Sequence, residues 1–339
     1  MFDKDAVWKK IRDRKPVVLD MNCWINMGDE KSSLATRTKD SLRKLVSDGL
    51  IFCPLSLGLI WELYKQGHDS RLRTGELMEE LSLNVSYASR DEIFAWEVER
   101  AVRRLVDAGP IDLSLSELYV PALAYLGSRF RLEFPEGFPS QRTDDFTRQV
   151  KERLESLSLT ELLKMRTGRR GDKIFEIIKQ IPPPKYSEEA KRTWDMVKGD
   201  KQKIQRIEAL TVFRQYIKPA IDKLPPPVLV KFWGYVQAVP KDKHGGFLGE
   251  LLKSLPALYN HVEVMAAVTQ NPSRNYKIND FFDFEIMPVP LAYASAFVAQ
   301  DKGIRDVLRN RTGILKRSTC RYCFDLAEFG EWLRVEGLA

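Results

Sequence analysis

The 339-residue chain is 44% hydrophobic and 30% charged, which supplies apolar material for a sizeable core and charge for a solvated surface. No apolar run approaches the roughly 18–20 residues of a membrane-spanning helix, and the opening MFDKDAVWKKIRDRK is charged where a secretory leader would be apolar, so a cytoplasmic protein with no membrane partner is expected. The formal net charge of +7 leans toward nucleic acid only weakly, because 54 basic residues face 47 acidic ones along the whole chain.

The first apolar run, PVVLDMNCWI, reads as a buried strand in which Val17, Val18 and Leu19 lead into Asp20. Residues 33–48 carry apolar side chains at helical spacing, with Gly49 as a stop. LIFCPLS is a second short strand, after which Ser56 can cap a helix, LGLIWELYKQG, that ends at Gly67. LNVSYA is a third strand, and Ser89 with Glu92 forms a capping box ahead of the amphipathic helix RDEIFAWEVERAVRRLVDAG. This alternation predicts an α/β fold with a mainly parallel sheet.

From 106 to about 275 the pattern turns helical, with almost no strand signal and with IPPPKY and LPPPVL as rigid connectors. No convincing repeat is found there. Beyond 275 the α/β rhythm returns: AFVA reads as a buried strand running to Gln300 and Asp301, TCRYCF as a last strand, and DLAEFGEWLRVEG as a last helix. The expected organisation is therefore an α/β domain in two parts, residues 1–105 and 276–339, split by a large all-helical insertion at 106–275.

Of the four cysteines, Cys23 and Cys53 sit in strand-like runs and read as core residues. Cys320 and Cys323 form a CxxC, but there is no second pair and His68, His244 and His261 are scattered, so two inward-facing thiols on a strand are expected rather than zinc. The carboxylates are more informative. Asp20 and Asp301 end strands, Glu62 lies on the helix after the second strand, and Asp280 and Asp283 precede the Asp301 strand. Ligand sites in open parallel sheets form beyond the carboxyl ends of strands. Carboxylates gathered there repel one another unless cations join them, and all-oxygen ligands favour Mg²⁺ or Mn²⁺. Two such ions about 4 Å apart activate water and hold the leaving oxygen of a phosphodiester.

The ordered set of Asp20-Met21-Asn22, CPLSLGLIWEL with Ser56 and Glu62, NDFFDFE, LAYASA and FVAQDK resembles the PIN domain family of metal-dependent ribonucleases. The 18-residue separation of Asp283 and Asp301 fits that family's pattern, and the resemblance covers roughly residues 15–105 and 275–335. It implies a PIN-like central sheet flanked by helices and hydrolysis of RNA with Mg²⁺ or Mn²⁺. The catalytic and metal-binding acids it implies are Asp20, Glu62, Asp283 and Asp301. Pro288 and Pro290 interrupt the helix that should carry Asp283, so Asp280 competes with it as third ligand. Asn22 and Ser56 are read either as groups orienting ligands or as a turn amide and a helix cap.

A polyanionic substrate needs cations. Arg71 and Arg73 in RLRTG, Arg169 and Arg170 in KMRTGRRGDK, and Lys201 and Lys203 in KGDKQKIQR are the candidate RNA contacts, and KDKHGG at 241–246 is a further basic stretch. Trp194, Phe232, Trp233 and Tyr235 read as helix core. A toxin or defence effector is one form of the nuclease reading. The alternative is a catalytically weak PIN-like scaffold that binds RNA or a protein through the helical insertion, and the resemblance makes a protein inhibitor or self-association plausible partners.

Overall fold

The computed structural model describes residues 4–107, 115–124, 148–149, 152, 157–165, 186–240, 244–271, 284, 286–310 and 318–338. The fold is mixed α/β and mostly helical. In chain order the elements begin with α1 (Lys4–Ile11), β1 (Lys15–Leu19), α2 (Met21–Gly28), α3 (Ser33–Ser47), β2 (Ile51–Phe52), α4 (Leu57–Leu63), α5 (His68–Ser82) and β3 (Val85–Tyr87). Next come α6 (Arg90–Leu105), β4 (Tyr119–Pro121), α7 (Leu159–Met165), α8 (Tyr186–Val197), α9 (Lys201–Val212) and α10 (Lys218–Asp222). The series ends with α11 (Pro226–Ala238), α12 (His244–Lys253), α13 (Pro256–Thr269), α14 (Pro288–Tyr293), β5 (Ala296–Val298), α15 (Lys302–Asn310), β6 (Arg321–Cys323) and α16 (Leu326–Val335). None of the described helices is long and apolar enough to cross a membrane.

The chain divides into two compact units, one formed by Met1–Ser89, Leu115–Gln180 and Asp325–Ala339, the other by Arg90–Ser114 and Ile181–Phe324. Helix α6, expected to close the first part of an α/β domain, groups with the second unit.

In the first unit β1 is buried from Val17 to Leu19 and pairs in parallel with β2, Lys15 opposite Ile51 and Pro16 opposite Phe52. The strand stops at Leu19. Asp20 is the N-cap of α2, and the apolar residues beyond it, Cys23, Trp24 and Met27, are buried at helical spacing. Cys23 is thus a helical residue and not the strand residue expected from the sequence, although it is buried as anticipated. Helix α3 is capped by Ser32, whose Oγ accepts from the Ala35 amide at 3.1 Å, and it is followed by Gly49 at φ +78°. Helix α4 ends at Leu63, short of Gly67, which instead is the N-cap of α5.

Strand β3 makes one parallel bridge, Ser86 to Leu55, with the Leu55 amide donating to the Val85 carbonyl and the Tyr87 amide to the Leu55 carbonyl, and on its other side it runs antiparallel to β4, Tyr87 opposite Tyr119, with their rings stacked at 5.2 Å. Strand β4 itself lies in the stretch read as all-helical, because its three residues are too few to show a period of two. The segment RLRTG, which carries the candidate RNA contacts Arg71 and Arg73, is inside α5.

Helices α2 and α5 approach closely at Gly28. A Cβ there would sit 2.9 Å from Thr74 Oγ1 and 3.1 Å from Thr74 Cα, so backbone would have to move. Gly28→Ala is expected to destabilise the protein by about 1–3 kcal/mol, outweighing the roughly 0.5–1 kcal/mol that alanine gains in a helix. The urea midpoint is the measurement, and an unchanged or raised midpoint would show that the two helices are free to separate.

The second unit is organised around α13, whose buried residues include Leu258, Val262, Val264, Ala266 and Val268 on successive faces. A helix apolar all round must be surrounded, and α6, α8, α9, α12, α14 and α15 pack against it. The long run from 187 to 224 is not one helix. It turns at Lys198 and Gly199, both at positive φ, and α9 restarts from Asp200, whose carboxylate accepts from the Gln202 and Lys203 amides at 3.0 and 3.1 Å. Phe213–Ile217 is a π-helical segment. It lies just before Pro219, whose ring would collide with the Gln215 carbonyl in an uninterrupted α-helix. Strands β5 and β6 form the unit's parallel pair, Ala296 opposite Arg321 and Val298 opposite Cys323. Cys320 and Cys323 are both buried, Cys323 on β6 and Cys320 just before it and not on the strand as expected.

Candidate functional site

Asp20 owes its position to the change from strand to helix. Its backbone is extended (φ −70°, ψ 166°), its residue is 7% exposed, and its Oδ1 accepts from the Cys23 amide at 2.7 Å. The indole N–H of Trp24 donates to the Leu19 carbonyl at 3.1 Å and fixes the same turn. Burial, and next the Asp20 carboxylate, push the Cys23 thiol up, so it stays protonated. Asn22 is exposed in the first turn of α2. Ser56 caps α4, its Oγ accepting from the Leu59 amide at 3.4 Å. Glu62 is half-buried near the end of that helix, with Lys65 Nζ 3.6 Å from its Oε1.

The first-unit arginines differ sharply. Arg71 is buried, its guanidinium 5.7 Å from the Tyr64 ring centroid. An arginine held in the interior in this way does not offer a phosphate contact, which corrects the expectation for that residue. Arg73 reaches solvent and pairs with Asp29 at 2.7 Å, and this hydrogen bond holds the Asp29 carboxyl below its usual range.

In the second unit Asp301 follows β5 and caps α15, accepting from the Ile304 amide at 3.0 Å. Lys201 and Lys203 are exposed on the first turn of α9, with Lys203 3.6 Å from Asp200. Asp280, Asp283, Arg169 and Arg170 lie outside the described residues. Among the described residues no group of three or more His, Cys, Asp or Glu side chains could hold a metal ion. The described acids have the oxygen chemistry that Mg²⁺ or Mn²⁺ prefers, but they do not by themselves complete a centre for either ion.

The second unit contains a group that sequence reading passed over. Glu97 lies in the buried stripe of α6 with Phe94, Val98 and Ala101, and is 3% exposed. Its carboxylate accepts from the Ala257 and Leu258 amides at the start of α13, at 2.7 and 3.0 Å, and from the Tyr293 hydroxyl. Burial pushes its carboxyl up to about 7, against the opposing pull of Tyr293, the two amides and Arg100. The signal was available: a glutamate at an inward position of an amphipathic helix is a buried acid that needs donors.

Beside Glu97 is a cavity of about 500 Å³, bordered by Trp96, Arg100 and Arg104 on α6, Tyr235 on α11, Phe247 on α12 and Tyr293 on α14. Of the aromatics expected as core, Phe232 is buried, Trp194 half-buried, and Trp233 and Tyr235 exposed. A smaller cavity of about 200 Å³ lies between α8, α9 and α13, with His261 and Glu208 on its wall. Burial, then Arg90, pushes the His261 ring down to about 3, so the imidazole there is neutral. Comparison of the chain with family models, curated proteins and solved structures finds no match.

Proposed function

We propose that the chain is a divalent-metal-dependent ribonuclease of the PIN type, with Asp20 as its leading acid. What supports the reading is the context of the acids. Asp20 directly follows β1, Glu62 lies on the helix after β2, and Asp301 comes just after β5, each beyond the carboxyl end of a strand in a parallel pair. Bound Mg²⁺ or Mn²⁺ would supply an activated water and hold the leaving oxygen of the phosphodiester. The chain's own part is to hold negative charge in fixed positions. The Cys23 amide orients the Asp20 carboxylate, and burial keeps that carboxylate from swinging into solvent. Arg73, Lys201 and Lys203 are exposed cations of the kind that hold phosphates. The test is incubation of the purified chain with single-stranded RNA. Cleavage is expected with Mg²⁺ or Mn²⁺ and is expected to stop on chelation.

A second reading, a scaffold that binds RNA or a protein without turnover, is favoured by one observation. Asp20 and Asp301 both cap helices, a role that accounts for an acid at a strand-to-helix turn without any chemistry. That reading leads to salt-sensitive RNA binding with no metal-dependent cleavage.

A further inference from the structure

We propose that the cavity beside Glu97 is a binding site for a nucleoside phosphate. Trp96, Arg100 and Arg104 follow at intervals of four, so they share one helix face, which borders the cavity. Tyr235 and Phe247 border it from two other helices, with ring centroids 5.9 Å apart. A volume of about 500 Å³ is within the roughly 300–1,000 Å³ of small-molecule sites.

The charges of the lining decide what it takes. Its carboxylates already have partners: Glu97 accepts from two helix amides and Tyr293, and Glu250 pairs with Lys253 at 2.5 Å. Arg100 acts electrostatically on Glu97 without pairing with it. Among the described residues neither Arg100 nor Arg104 has a carboxylate within ion-pair distance. Arg100 instead lies over the Trp96 ring, 5.1 Å from its centroid. Trp96 itself is 7% exposed. Half-exposed aromatic faces suit a flat heterocycle, and two guanidiniums without a carboxylate at ion-pair distance suit a phosphate. A cationic ligand would meet the same two guanidiniums and is disfavoured. A purely apolar ligand would leave them unused. The nucleoside phosphate can be a free mononucleotide or the unpaired end of an RNA, and the site is independent of whether the chain hydrolyses anything.

The test uses the full chain and follows tryptophan fluorescence or binding heat with adenosine monophosphate, uridine monophosphate, adenosine, inorganic phosphate and a short single-stranded RNA. Saturable binding of a monophosphate is expected, tighter than adenosine or phosphate alone by at least about tenfold. Arg104→Glu and Tyr235→Ala, both at exposed positions that should leave the fold intact by circular dichroism, are each expected to weaken it by about tenfold or more. An RNA that binds more tightly than the monophosphate identifies a strand end as the ligand, and equal or weaker binding identifies the free nucleotide. Absence of binding by every phosphate-bearing probe, or affinities unchanged in both variants, overturns the proposal.

Discussion

Asp20→Asn is expected to lower metal-dependent RNA cleavage by at least about 100-fold while leaving the fold intact. The substitution separates the two roles open to this residue. Asparagine caps helices about as well as aspartate, so the bond from the Cys23 amide, 2.7 Å in the native protein, retains an acceptor. What is lost is the negative charge, which a cap does not need and a metal ligand does. Asp20→Ala makes the contrast: it should remove the cap as well and cost about 1 kcal/mol of stability. Cleavage rates and urea midpoints on the same preparations discriminate the outcomes. Full activity in a folded Asp20→Asn protein would end the nuclease reading at this residue.

The largest effect on stability is expected at Glu97. Glu97→Ala would strand the Ala257 and Leu258 amides and the Tyr293 hydroxyl in the interior and open a void. Stranded buried groups cost about 1–3 kcal/mol each, so a total loss on the order of 3–5 kcal/mol follows once partial relaxation is allowed. Glu97→Gln keeps an oxygen for the amides and should cost much less near neutrality. The carboxyl also sets a pH dependence. Its folded-state pKa of about 7 lies above the ordinary 4.5, so the folded protein binds the extra proton between those values. The contribution is complete below about pH 4.5 and is lost as pH rises through 7, an effect of roughly 3 kcal/mol. The difference in melting temperature between wild type and Glu97→Gln should therefore shift against wild type from pH 5 to pH 8. Parallel curves would contradict the assignment. Arg100 and Tyr293 are the ionisable neighbours that oppose or share this titration.

Much of the local structure was legible in the sequence. Val17–Leu19, Ala296–Val298 and Arg321–Cys323 are strands as read, because short apolar runs bounded by turns leave few other options. Residues 33–48 and Gly49 carried readable signs of a helix and its end. What was not legible depends on contacts distant in sequence. Strand β4 is defined by its antiparallel partner and not by its three residues. The close approach of Gly28 to Thr74 joins two helices that no local pattern connects. For the candidate site, the context of Asp20, Glu62 and Asp301 was readable because turn positions follow from strand ends. The role of Asp20 and Asp301 as caps and the burial of Arg71 were not, since each depends on how the following turn closes. The Trp96, Arg100 and Arg104 stripe was in plain view as a helical interval, but what faces it comes from α11, α12 and α14, more than a hundred residues later.

The interleaving of the two units along the chain bears on how the protein folds and how it can be cut. Helix α16, with Phe329, Trp332 and Leu333 buried, packs against α3, and Glu336 pairs with Lys15 at 2.6 Å. The opening segment of the first unit therefore emerges from the ribosome and waits for a helix roughly three hundred residues away. During that interval the face of α3 meant for α16 is bare, a setting in which loops must close over long distances before the contacts that repay them exist. A fragment ending near residue 105 would contain α6 without its partners and α3 without its cover, and is expected to aggregate on expression, whereas adding 325–339 in trans is expected to raise its solubility by covering α3.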